Sequence, residues 1–225
     1  MTYRYMIITI DGPAGAGKST VARALAARLG FCFLDTGAMY RTVALAGMRR
    51  GLDWDLPDEL ARLAETLDIR VAGDRTYLGD EDVTEAIRTS EVTAVTRYAA
   101  DNPQVRAHLV QLQRQLAGTR DVVTEGRDQG TVAFPGAECK FFLTASAAER
   151  ARRRWNDLQS QGEPVTLAQV LAAQERRDRE DAGRPVGPLA AAADAIEVST
   201  DGLTVDEVVG KLEALVRMRR PGQEM

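Results

Sequence analysis

From Met6 to Ile10 the chain runs Met-Ile-Ile-Thr-Ile, and Asp11-Gly12-Pro13 ends the run. An apolar, β-branched stretch bounded by turn formers predicts a short strand buried on both faces, the habit of strands in parallel sheets. From Lys18 the spacing turns helical: Val21, Leu25 and Leu29 recur every fourth residue, and Gly30 follows as a C-cap. Phe31 to Leu34 predicts a second strand, and Asp35-Thr36-Gly37 supplies the turn and an N-cap for a helix carrying Met39, Tyr40, Val43 and Ala44. Pro57 opens a helix to about Leu67. Ile69 to Val71 and Thr76 to Leu78 flank Gly73-Asp74 as a hairpin, which with Asp80 to Arg88 makes a small lobe beside the main sheet. Asn102-Pro103 opens a helix with Val105, Leu109, Leu112 and Leu116, and Val122 to Thr124 and Phe141 to Leu143 are further core strands. A helix from about Ala147 to Gln161, a break at Gly162, a helix from Leu167 to Arg179, a strand from Ile196 to Ser199 and a helix carrying Val205 to Leu215 complete the pattern, ahead of a polar tail. Strands alternating with helices predict an α/β fold, a doubly wound parallel sheet with helices on both faces.

The turn after the first strand carries the chemistry. Gly12-Pro13-Ala14-Gly15-Ala16-Gly17-Lys18-Ser19 matches Gly-x-x-x-x-Gly-Lys-[Ser/Thr] and lies between a buried strand and an amphipathic helix, where a phosphate loop (P-loop) must lie. Glycines let backbone N–H groups curl round an oxyanion, and the helix adds its positive N-terminal dipole. Lys18 reaches the outer phosphates, the Ser19 hydroxyl suits Mg²⁺, and Thr20 packs the helix instead of touching metal. A nucleoside triphosphate with Mg²⁺ is therefore the expected cofactor. A guanine-specific switch protein is excluded: Asn102 and Asn156 are the only asparagines, and neither sits in an Asn-Lys-x-Asp setting.

Composition narrows the reading. With 33 acidic and 29 basic residues the net charge is −4, against a protein whose overall field recruits nucleic acid or an anionic membrane. Only Lys18, Lys140 and Lys211 are lysines, so the basic residues are nearly all arginine, the residue of bidentate phosphate recognition. Cys32 and Cys139 each lie in an apolar run and are expected as small buried hydrophobes in a reducing cytoplasm. The N-terminal apolar stretch is too short for a secretion signal, and no window approaches a membrane span. His108, the single histidine, has no partner motif, and Trp54 and Trp155 are expected to pack rather than stack on bases.

Beyond the loop, Leu34-Asp35-Thr36-Gly37-Ala38-Met39-Tyr40-Arg41, Glu125-Gly126-Arg127-Asp128 with Gly130-Thr131 and Phe134-Pro135, and Arg177-Asp178 followed by Asp181, Arg184 and Pro188-Leu189 occur in order along the chain. With the loop they resemble bacterial cytidylate kinases, the CMP/dCMP kinases of the nucleoside monophosphate kinase group. The resemblance spans essentially the whole chain and implies a P-loop NTPase-type core with a small monophosphate-binding lobe and a helical lid. It implies one domain over 1–225, with the monophosphate-binding insertion at about 60–100 and the lid at about 150–165. It implies that Arg41, Arg127 and Arg184 hold the acceptor phosphate, that Arg177 and Asp181 address the ribose, and that Asp128 and Arg106 read cytosine. Thr36, Gly37 and Tyr40 belong to the same substrate motif. The arginines Arg150 to Arg154 fall in the lid, and Arg153 stands beside Lys18, Arg127 and Arg184 as a catalytic candidate. Two positions depart from the family: Arg97 stands where a base-contacting serine is usual, and Glu125 replaces an aspartate.

The expected partners are the small molecules CMP and dCMP, the compartment the cytoplasm and the working unit a monomer. Read singly, Tyr40, Asp128 and Asp181 also fit core, turn and solvated-surface roles. A P-loop kinase for another nucleotide or a small alcohol, and a nucleotide-dependent binding module whose arginine helix engages RNA or protein, stand as the alternatives.

Overall fold

The computed structural model describes residues 5–160 and 162–219. Residues 1–4, Gln161 at the expected end of the helix from Ala147, and the polar tail from 220 lie outside the described residues. The chain divides into two compact units: Met1–Phe33 with Arg120–Met225, and Leu34–Thr119.

The larger unit is built on β1 (Ile7–Asp11), β6 (Val122–Gly126), β7 (Cys139–Thr144) and β8 (Ile196–Ser199), which β2 (Cys32–Asp35) joins in the order β2-β6-β1-β7-β8. All the registered pairs are parallel: Ile7 lies opposite Val122 and Asp11 opposite Gly126 on one side of β1, and Ile8 opposite Cys139 on the other. The near-continuous apolar run of β1 is explained by this central position, since Ile8 and Ile10 are fully buried. α1 (Lys18–Leu29) and α8 (Val205–Arg219) bury Val21, Leu25, Val209 and Leu212 against that sheet in one core. α6 (Ala147–Ser160) and α7 (Leu167–Ala182) form an antiparallel-reading helical pair, the second opened by a Thr166–Gln169 capping box. Trp155 packs within this pair and donates Nε1–H to the Val165 carbonyl at 3.0 Å.

The smaller unit contains α2 (Thr36–Arg49), α3 (Pro57–Thr66), α4 (Ser90–Asp101) and α5 (Pro103–Ala117). It also holds the antiparallel strands β3 (Ile69–Ala72), β4 (Arg75–Leu78) and the short β5 (Glu81–Asp82). The hairpin turns at Gly73-Asp74 with Ala72 opposite Arg75, as its sequence predicts. Asp35 caps α2 by accepting from Ala38 N–H at 2.9 Å, and Asn102 caps α5 by accepting from Gln104 and Val105 N–H at 3.0 and 3.1 Å.

Three features differ from the sequence reading. α4 is absent from it because Val92, Thr93, Val95 and Thr96 crowd a helix with β-branched side chains, and only Val92 and Ala99 are buried. A π-type turn at Gln129–Ala133 follows β6 where no element is predicted. Cys32 is exposed, contrary to the expected burial, because it opens the edge strand β2; Cys139, on β7 inside the sheet, is buried as expected.

Candidate active site

The phosphate loop leaves the C-terminal end of β1, the central strand, with β6 and β7 on either side. That is where open parallel sheets place ligands. Gly12 has φ 144°, and a Cβ there would stand 2.1 Å from the Leu143 carbonyl oxygen, so no side chain fits. Gly15 and Gly17 take left-handed φ values of 80° and 84°. Gly17 caps α1 without a side-chain hydrogen bond, which leaves the helix N-terminus to an outside acceptor. Lys18 is buried and donates Nζ–H to the Pro13 carbonyl at 2.8 Å.

The charges round the loop act on one another. Burial, with the guanidinium of Arg127 and then that of Arg177 nearby, lowers the Lys18 pKa to about 7 against the pull of Glu125 and Asp11. Burial raises the Asp11 carboxyl to about 6, although it accepts from Gly130 and Gln129 N–H at 2.7 and 2.8 Å. Asp11 thereby pins the π-type turn that follows Arg127 and Asp128. Ser19 Oγ donates to Glu125 Oε1 at 3.0 Å, which brings a hydroxyl and a carboxylate together beside Lys18, while Thr20 is exposed.

Asp181 is a hub. It is 2% exposed, accepts from Arg127 Nε at 2.8 Å and from Arg184 through its other oxygen. Burial pushes its carboxyl up, but Arg127, Arg184 and Arg177 together hold it below the usual range. The ends of β6 and α7 are thus cross-linked, with Arg177 exposed beside them and Asp128 buried at 4%.

The arginines of α6 separate into different roles. Arg150 is buried, donating to Ala14 O at 3.0 Å and Asp178 Oδ2 at 2.6 Å. Arg152 is exposed on Glu149. Arg153 bonds Glu149 at 2.8 Å, donates to Thr200 Oγ1 and O at 3.0 and 2.8 Å, and lies 3.8 Å from a Cβ on Gly17. Arg154 faces solvent.

In the smaller unit Thr36 and Gly37 form the capped first turn of α2. Arg41, one turn on, donates to Thr93 Oγ1 at 3.0 Å. Arg106 is buried, lies 5.6 Å over the Tyr40 ring and donates to Ala100 O at 3.1 Å. Thr93, Arg97 and Ala100 share one face of α4, being spaced four and then three residues apart. That face therefore carries Arg97 between the bonds to Arg41 and to Arg106. Arg97 is exposed and lies 4.8 Å over the Tyr98 ring, which stacks on Trp54 at 5.0 Å. Thr93, Tyr98, Gln174 and Thr200 are the residues that sequence reasoning misses, each with a partner distant in the chain and no local motif to mark it; Asp178 stands in the Arg177-Asp178 motif, but its bond to Arg150 is not legible there.

The sequence model of the family described as cytidylate kinase matches residues 8–218. A cytidylate kinase of Rhodopirellula baltica is 53% identical over 212 residues, covering 94% of this chain and 93% of its own. Another, of Geobacter sulfurreducens, is 46% identical over 220 residues, covering 96% and 94%. The solved structure of shikimate kinase from Bacteroides thetaiotaomicron is similar with a TM-score of 0.50 at 14% identity, over 94% of this chain and 98% of that one. The last is a likeness of fold alone.

Proposed function

The chain belongs to the cytidylate kinase family, and from that premise we propose how its residues divide the transfer of the γ-phosphoryl group of ATP to CMP or dCMP. An oxygen of the acceptor phosphate forms a bond to the γ-phosphorus as the bond to the β-γ bridging oxygen breaks, giving CDP or dCDP and ADP. The attacking oxygen is already ionised, so no general base is needed, and catalysis is positioning plus charge stabilisation.

The loop from Gly12 to Thr20 takes the donor phosphates, with Lys18 on the outer ones. The observation that carries this reading is a buried Lys18 opening α1 behind the left-handed Gly17, with Arg127 and Arg184 gathered on the Asp181 carboxylate. Fixed cations round a buried lysine suit a tri-anion and are unfavourable without one. Ser19 and Glu125 are hard oxygen donors that fit Mg²⁺, and among the described residues no group of three or more acidic, His or Cys side chains holds a metal alone. Phosphate oxygens and water would complete the shell, and the ion supplies neutralisation of the donor's charge.

For the acceptor, Arg41, Arg127 and Arg184 are assigned to the phosphate, and Arg177 and Asp181 to the ribose. Arg106 and Asp128, with Arg97, are assigned to the base, and Thr36, Gly37 and Tyr40 to the wall that α2 and its first turn present. Arg153 is assigned to the bound triphosphate, supported by its nearness to Gly17. The insertion at about 60–100 is assigned to the monophosphate-binding lobe and the segment at about 150–165 to the lid. A single chain holds every assigned residue, which supports a monomer. No helix among the described residues is long and apolar enough to cross a membrane, and the cytoplasm is the proposed compartment.

The deciding experiment is ADP formation from Mg-ATP with CMP, dCMP, UMP, AMP, GMP, shikimate or gluconate, against a control without acceptor. Turnover confined to CMP and dCMP is expected. Preference for another acceptor would move the base assignments, and none with any acceptor would sink the kinase reading.

A further inference from the structure

Carbonyls of the phosphate loop are held by side chains: Pro13 by the loop's own Lys18 at 2.8 Å and, from outside the loop, Ala14 by Arg150 at 3.0 Å and Ala16 by Thr200 Oγ1 at 3.3 Å. In a trans peptide the carbonyl and the following N–H point in opposite directions. A donor that holds the Ala14 carbonyl therefore turns the Gly15 N–H to the opposite face of the loop, where successive N–H groups converge on an anion. Glycine imposes no such orientation by itself, because it takes either sign of φ at little cost. The grip from outside has to decide it.

The grip is an ion pair between α6 and α7. Arg150 is 7% exposed, and one nitrogen, Nη1, serves both Ala14 O and Asp178 Oδ2, while Nε donates to Ala145 O at 3.1 Å. Gln174, one turn before Asp178, donates to the Arg150 carbonyl at 3.2 Å. A Cβ on Gly15 would stand 2.8 Å from Gln174 Nε2 and 3.1 Å from Arg150 Cβ, so the loop rests directly on this cluster. Asp178 Oδ1 and Gln174 Oε1 are buried and find no hydrogen-bond partner among the described residues. Packing alone favours apolar side chains there, since an unpaired buried acceptor is destabilising. What the polar pair supplies is direction: the carboxylate fixes the guanidinium, and the guanidinium fixes the peptide.

We propose that Asp178, acting through Arg150, is a positioning residue that orients the Ala14–Gly15 peptide for the donor's β- and γ-phosphates. This rests on the kinase reading of the loop and deepens it, assigning the orientation of a backbone amide to an ion pair well over a hundred residues away in sequence. Its test is calorimetric binding of inorganic tripolyphosphate and of CMP, with steady-state kinetics in ATP, for the wild type, Arg150→Met, Arg150→Lys, Asp178→Asn and the Arg150→Met/Asp178→Asn double variant. Arg150→Met should weaken tripolyphosphate and raise KM for ATP by about 10- to 100-fold, the worth of one charge-assisted hydrogen bond, with CMP affinity within about twofold. Arg150→Lys should recover part of that loss. Asp178→Asn should show a smaller effect of the same kind and add nothing in the double variant, because it acts through Arg150. Unchanged tripolyphosphate binding in folded Arg150→Met, or full additivity, overturns the proposal. If Arg150→Met does not fold, the isosteric Asp178→Asn decides, and wild-type tripolyphosphate affinity there overturns it equally. A wild-type protein that shows these binding effects but does not phosphorylate CMP would break the function reading and leave this one standing.

Discussion

In the larger unit the phosphate loop occupies consecutive residues, Gly12 to Ser19, between β1 and α1, whereas in the smaller unit Arg41, Arg97 and Arg106 come from three helices, α2, α4 and α5. The first arrangement binds with backbone N–H groups, so its requirement falls on conformation, and glycine is the residue that meets it. Under the proposed assignment the second binds with guanidinium forks whose backbones are ordinary helix, so its requirement falls on which helix face the arginine occupies. One arrangement is therefore vulnerable to a methyl group and the other to the loss of a charge.

Gly12→Ala and Lys18→Met should break the larger unit's half most severely. Gly12→Ala places a Cβ 2.1 Å from the Leu143 carbonyl and should lower both Tm and kcat/KM, the latter by about a thousandfold or more. Gly73→Ala, in the hairpin turn of the smaller unit, meets nothing within 4 Å and should cost only about 1 kcal/mol with no change in kcat. Thermal unfolding and steady-state kinetics on the pair test the contrast. Lys18→Met should lose about a thousandfold in kcat/KM without lowering Tm at pH 6, because the buried ammonium it removes is disfavoured by burial and by Arg127.

Arg106→Met should be the next largest, raising KM for CMP by about 10- to 100-fold while KM for ATP stays within about twofold. Equal changes in both constants would show that the two sets of residues are not separable.

The pH behaviour sharpens the larger unit's half. With the free protein's Lys18 near pKa 7, above that pH it is mostly neutral and must gain a proton to hold a polyanion. ATP binding at pH 8.5 should therefore take up nearly one proton, falling towards none at pH 6, read from calorimetry in buffers of different ionisation enthalpy. The unfolded chain binds the extra proton between about pH 7 and 10.5, so this group makes stability rise with pH across that window. Lys18→Met should flatten both dependences.

Smallest is the column Trp54–Tyr98–Arg97, half-buried at its two rings and exposed at Arg97. Arg97→Ser should shift the CMP to UMP ratio of kcat/KM by about two- to fivefold, the scale of an exposed cation–π contact, and Trp54→Leu should follow it weakly. An unchanged ratio removes Arg97 from base reading.

Most of the larger unit is legible in the chain. The apolar run of β1, the Gly12–Ser19 turn and the amphipathic stripe of α1 are local signals, set by covalent geometry and helical period, and each recurs where the sequence puts it. The hairpin at Gly73-Asp74 and the caps Asp35 and Asn102 are local in the same sense. α4 is not, because its stability comes from α2 and α5 rather than from its β-branched sequence. Cys32 misleads because an apolar run does not say whether its strand is central or at an edge.

The sequence by itself determined which residues can cradle a polyphosphate, since left-handed φ values and the absence of a Cβ are properties of glycine wherever it stands. Its ordered motifs, with their arginines and carboxylates, also marked the cytidylate kinase family to which the chain belongs. Only the tertiary structure decided how those charges are spent: that Asp181 binds Arg127 and Arg184 together, that Arg150 turns inward to Ala14 and Asp178 while Arg152 stays in solvent, and that Ser19 meets Glu125. Arg150 and Arg152 stand only two residues apart on one helix but point about 200° apart, so packing against α7 and the loop gives the first a buried partner and leaves the second to water.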